Sequence, residues 1–142
     1  MARIDANQIY NGTNGRVWMD GDLMSAVKKF EAKMSVDYED VDINGEMCQQ
    51  KRMMGYSISG TMTLHKVDSY ILKNYLAAIL SGMLPDITMV ASENDPQTGA
   101  TQRIALYGVK LDEVALANFE NRSLLEEEVP FTASRVELLD VA

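Results

Sequence analysis

A chain of 142 residues suits one domain, and a hydrophobic fraction of 46% provides for a core. A formal net charge of −8 argues against a nucleic-acid binder held by phosphate contacts, which needs a basic face, but is compatible with a wall that nucleic acid passes without sticking. One cysteine, Cys48, excludes an internal disulfide and fits a reducing assembly compartment; no apolar run reaches bilayer or signal-peptide length.

Residues 1–15 are polar and rich in Asn and Gly, and read as an N-terminal arm. Arg16 to Met19, Asp20-Gly21 and Leu23 onward form a tight hairpin pattern, because Asp-Gly supplies the positive φ values of the turn. Phe30, Ala32, Met34, Val36 and Tyr38 then alternate with Glu31, Lys33, Ser35, Asp37 and Glu39. Beyond Glu39-Asp40 the apolar phase shifts to Val41 and Ile43, which predicts a β-bulge there.

Residues 44–55, NGEMCQQKRMMG, break the alternation and form the expected tip of a long hairpin. Met47, Lys51, Arg52, Met53 and Met54 make this tip a candidate contact loop, for ring stacking or sheath contact in the reading below. The next strand, YSISGTMTLHK, has Tyr56, Ile58, Met62 and Leu64 on one face and Ser57, Ser59, Thr61 and Thr63 on the other. The period of Ile71, Leu72, Tyr75, Leu76, Ile79 and Leu80 predicts one helix over about 68–82. Asp68 or Ser69 would cap its start, and Gly82 and Pro85 would end it.

Strands follow over Ile87 to Ser92 and Gln102 to Leu111, and a further one is expected over Val114 to Phe119. The end, LLEEEVPFTASRVELL, reads mainly as strand, with Pro130 at an edge or strand end. Ser123 and Glu126 could make one helical turn before it. The fold class is therefore mainly β (α+β): a single domain over 1–142, a small β-sandwich or barrel with one flanking helix.

Chemistry is sparse. His65 and Cys48 alone cannot complete a tetrahedral metal site, and nothing local orients them as a nucleophile pair. Asp37, Glu39, Asp40 and Asp42 lack the glycine and terminal glutamate of a calcium loop. No phosphate loop or dinucleotide fingerprint occurs. We expect no catalytic residue, no metal and no cofactor.

The order of GRVWMDGDLM, KKFEAKM, GTMTLHKV, RIALYGVKLDEVAL and LEEEVPFT resembles the tail tube proteins of contractile phage tails and phage-like bacteriocins, the PBSX-type tube family. The resemblance runs from about Asn11 to Ala133. It implies a non-enzymatic structural protein whose six-fold homo-hexameric rings each contribute to one inner β-barrel and stack into a tube. It also implies a tail sheath, baseplate and tape-measure proteins as partners, and DNA or ions passing without specific binding. The implied setting is a virion tail or phage-like particle assembled in the host bacterial cytoplasm, with no membrane anchor.

Under this resemblance Ser57, Ser59, Thr61 and Thr63 are candidates for the lumen wall, matched by Glu31, Lys33, Ser35, Asp37 and Glu39. An outer face under the helix, or a face between subunits, is the competing placement. The alternatives in function are a type VI-like secretion tube and a small β-barrel that binds an apolar ligand. The ligand binder needs large apolar residues on its inward face.

Overall fold

The structure, a computed structural model, describes all residues except 1–14, 25, 67–70, 84, 96–98, 118 and 141–142. Of the arm expected over 1–15 only Gly15 is described, and it opens a strand; the rest of the arm and the caps Asp68 and Ser69 lie outside the described residues. Among the described residues eight strands follow one another: β1 (Gly15–Met19), β2 (Asp22–Leu23), β3 (Val27–Val41), β4 (Gln50–His65), β5 (Ile87–Asp95), β6 (Ala100–Leu111), β7 (Glu126–Ala133) and β8 (Arg135–Asp140). All pairings are antiparallel, in the order β2-β1-β5-β6-β7-β4-β3, with β8 on β6.

Strand β6 belongs to both layers of a sandwich. Residues 103–107 pair with β8, while Lys110 and Leu111 pair with β7. Gly108, at φ 62°, sits at the crossing, and a Cβ there would collide with the Ser134 hydroxyl. The core between the layers includes Met19, Met89 and Val109 from one sheet and Ile58, Met62, Val129 and Phe131 from the other. The Phe131 ring stacks on Phe30 with centroids 5.6 Å apart.

The Asp20-Gly21 turn forms as expected, with φ of 52° and 86°. Asp20 does more than turn the chain. Its Oδ1 accepts from the Thr88 N–H at 3.0 Å, and its Oδ2 accepts from the Tyr75 hydroxyl at 3.0 Å. One carboxylate thus ties the hairpin, β5 and the helix together.

The helix winds wide, π-fashion, over Leu72–Leu76 and continues as α1 over Ala77–Ser81. It buries Ile71 and Tyr75 in the sandwich core. Gly82 closes it at φ 79°, its N–H directed at the carbonyls of Ala78 and Ile79. Leu80, expected on the buried stripe, points outward at 79% exposure. The wide turn shifts the phase, so that the buried face continues only through the partly buried Ile79.

Several boundaries differ from the sequence reading. The register shift in the long hairpin falls between Asp37 and Tyr38, which pair with Gly55 and Met53. The extra residue is therefore Met54 on β4, not Glu39 or Asp40 on β3. Residues 50–55 belong to β4, so the tip connecting the strands is 42–49 rather than 44–55. The described residues of the Val114 to Phe119 segment form no strand. They lie in an irregular 112–125 connection whose Leu116 and Phe119 are largely exposed, and alternation without a neighbouring edge to pair with gives no ladder.

The helical turn at Ser123 to Glu126 is likewise absent, and Glu126 opens β7. Pro130 lies where β6–β7 pairing stops. Its carbonyl accepts from the Asp112 N–H at 2.9 Å, and no pairing beyond Leu111↔Phe131 asks for the N–H that proline lacks.

Candidate functional face

Partners directly opposite across strands project to the same face of a sheet. Strand β3 pairs with β4 through Glu31↔Thr61, Lys33↔Ser59 and Ser35↔Ser57, and β4 pairs with β7 through Ser59↔Thr132, Thr61↔Pro130 and Thr63↔Glu128. The hydroxyls of β4 and the charges of β3 therefore form one continuous polar face. Behind it, Ile58, Met62 and Leu64 are buried. Ser57 and Ser59 are exposed, while Thr61 and Thr63 are half-buried, so the helix does not cover the two serines.

Asp37 and Glu39 continue the face onto the projecting part of the hairpin, opposite Gly55 and Arg52. Members missed by the sequence reading are Arg52 in this role, Glu128, Thr132 and Lys110. The β7 residues could have been found from LEEEVPFT, where Glu126, Glu128, Pro130 and Thr132 alternate with Glu127, Val129, Phe131 and Ala133.

The charges are locally neutralised. Lys33 Nζ lies 2.6 Å and Lys29 Nζ 3.9 Å from Glu31. The Lys33 hydrogen bond, then its charge, holds the Glu31 carboxyl below its usual range, and Glu31 in turn raises Lys33. Lys28 Nζ reaches Glu126 at 2.6 Å and lowers its pKa by the same hydrogen bond. The Thr132 hydroxyl donates to Asp112 at 2.9 Å.

Glu127 points to the opposite, dry side at 5% exposure. Its Oε2 is 3.6 Å from Lys66 Nζ, and its Oε1 has no hydrogen-bond partner.

Met47 is fully exposed at the hairpin tip, with Met53 and Met54 exposed behind it, and Lys51 and Arg52 opposite Asp40 and Glu39. Cys48 sits at this tip and His65 at the far end of β4. At about 3.3 Å per residue they are on the order of 50 Å apart, which rules out a Cys–His pair within one chain. Among the described residues, no group of three or more His, Cys, Asp or Glu could hold a metal ion, and no helix is long and apolar enough to cross a membrane.

A model of the family described as phage tail tube protein matches residues 2–140. The chain is 32% identical over 131 residues to the phage-like element PBSX protein XkdM of Bacillus subtilis (strain 168), covering 91% of this chain and 89% of that protein. Among solved structures, the fold is similar to the tube terminating cap of the anti-feeding prophage, at TM-score 0.77 and 10% identity, over 99% of this chain and 97% of that one. It is also similar to a chain of the sheath–tube complex of the extracellular contractile injection system PVC in its extended state, at TM-score 0.75 and 13% identity, over 98% and 100%.

Proposed function

The chain belongs to the phage tail tube protein family, and from that premise we propose that it closes into six-fold rings whose polar sheet faces form the wall of a central bore. The observation that carries this reading is the sheet β3-β4-β7, dry on one side and faced with Ser, Thr and paired charges on the other. Strand β3 is fifteen residues long and, among the described residues, pairs only with β4. An open edge of that length invites association, and ring closure removes it. Six copies lending at least three strands each give about 18 strands, in the range that leaves an aqueous channel.

The wall suits passage without binding. Hydroxyls keep the surface wetted, and carboxylates stand beside its lysines, so the face offers a polyanion no basic stripe. Stacked rings would make the inner tube of a contractile tail, surrounded by sheath and ending at a baseplate, with tape-measure protein, DNA or ions in the bore and assembly in the host bacterial cytoplasm. The structural role requires no catalytic centre. The apolar-ligand reading is disfavoured by exposed serines where it needs large apolar side chains.

Electron microscopy of the purified protein tests the reading. Hollow tubes or six-fold rings are expected. A monodisperse monomer at every concentration and ionic strength would overturn it.

A further inference from the structure

Along its inward-phased side β3 runs through two environments. Over Val27 to Ala32 it is roofed by β1, β5 and β6, but the roof is not closed. Two adjoining hollows of about 260 and 280 Å³ share Phe30, Ala91 and Glu93. Together they make a slot with an apolar floor of Val17, Val27, Phe30, Ala91 and Ile104. Both are smaller than the roughly 300–1,000 Å³ of ordinary small-ligand pockets.

At one end the slot is flanked by Arg16, Lys28 and Lys29, against Glu93 alone. The lysines have carboxylate partners of their own, Glu126 and Glu31. Those pairs are exposed, hence weak and exchangeable.

Beyond Met34 the same strand has no roof. Pairing of β4 with β7 ends at Ile58, the partner of Met34. From there the hairpin continues as a two-stranded ribbon through Val41, about 23 Å at 3.3 Å per residue. Two strands alone are marginal in water. One side of this ribbon carries Met34, Tyr38, Met53 and Tyr56, all roughly half-exposed or more. Its length and tip carry Asp37, Glu39, Asp40, Asp42 and Glu46 against Lys51 and Arg52. The ribbon is thus acidic with an apolar side, and the slot is apolar with a basic mouth.

Both lie on one strand but run apart, so a ribbon cannot reach the slot of its own chain. We propose that the hairpin of one copy seats its methionine-bearing tip in the slot of a second copy, entering past Arg16, Lys28 and Lys29. The contact joins unlike surfaces and does not close on itself, so it propagates along the strand direction. It rests on the tube reading and supplies that reading with the link between successive rings.

The test uses the native Cys48 at the tip, which is exposed, with Ala91→Cys in the slot. On mild oxidation under assembly conditions, this chain should give a ladder of covalent oligomers in steps of 15.8 kDa, where the parent chain gives none. Should Ala91→Cys fail to fold, Lys29→Cys at the mouth replaces it. Lys28→Glu with Lys29→Glu should cut the ladder by about tenfold, because like charges then meet, and adding Asp40→Lys with Asp42→Lys should restore it to within about threefold.

Covalent dimers from the parent chain, which mark a two-fold Cys48 contact, would overturn the proposal. So would the absence of a ladder in protein that microscopy shows as tubes, while leaving the tube reading standing. Absence of tubes strikes the tube reading first, and an absent ladder in that protein overturns the hairpin contact as well.

Discussion

Gly60 lies on the dry face of β4, opposite Ala32 on one side and Phe131 on the other. A Cβ at this position would stand 2.6 Å from the tip of the Phe131 ring and would collide with the Glu31 carbonyl oxygen. The missing side chain is what lets Phe131 lie across β4 and stack on Phe30. In the sequence Gly60 reads as a gap among Ile58, Met62 and Leu64, and nothing local says which ring fills it. Gly60→Ala should destabilise the monomer by about 1–3 kcal/mol, the cost of overpacking, although alanine suits a strand better than glycine. Urea unfolding measures this directly, and an unchanged or raised midpoint would show that the stack tolerates the methyl group. Glu127 is the opposite case. Its phase with Val129, Phe131 and Ala133 places a carboxylate in the core, but only the pairing of β7 with β4 identifies that face as the dry one.

At the scale of elements, the polar face is held by a charge pair that reaches across β4, from Lys28 on β3 to Glu126 on β7, and by pairs along β3 itself. Glu31 and Glu126 have pKa values lowered from 4.5 by Lys33 and Lys28. A carboxylate with a depressed folded pKa adds stability that is present above its unfolded pKa and lost as pH falls through the folded value. Thermal stability should therefore decline below about pH 4.5. Lys33→Gln should be less stable than the parent near pH 6, with the difference shrinking as pH falls and Glu31 takes up its proton. A difference that persists undiminished once Glu31 is protonated would assign the effect to packing of the lysine stem. The alternation that revealed these strands is a strong indicator because it survives any register. It cannot say whether an edge is available, which is why Val114 to Phe119 looked like a strand and its described residues form none. It also cannot say which of two paired strands holds an extra residue. The shift anticipated at Glu39-Asp40 is accommodated by Met54 on the partner strand.

For the whole molecule, the arrangement of YSISGTMTLHK was legible as two faces, one dry and one of hydroxyls, but not the space into which the hydroxyls look. That space does not exist within one chain. In the proposed tube it is made by the neighbours, so no period in the sequence of one chain encodes it. Ser59→Cys, in a chain whose exposed Cys48 is replaced by Ser, turns the question into an accessibility measurement. In the monomer the new thiol is exposed and should react with both a small maleimide and a protein-sized one. In assembled tubes the small reagent can diffuse along the bore and should still react, while the protein-sized reagent should slow by about tenfold or more, since only the tube ends admit it. Lys73→Cys, on the exposed side of the helix, gives the reference rate for the outer surface. Equal rates for the large reagent in tubes and monomers would put Ser59 outside. Loss of reaction with both reagents would bury it between subunits. Either result would remove β4 from the bore, and the wall would then have to be sought on the outward face of the sheet β1-β5-β6-β8.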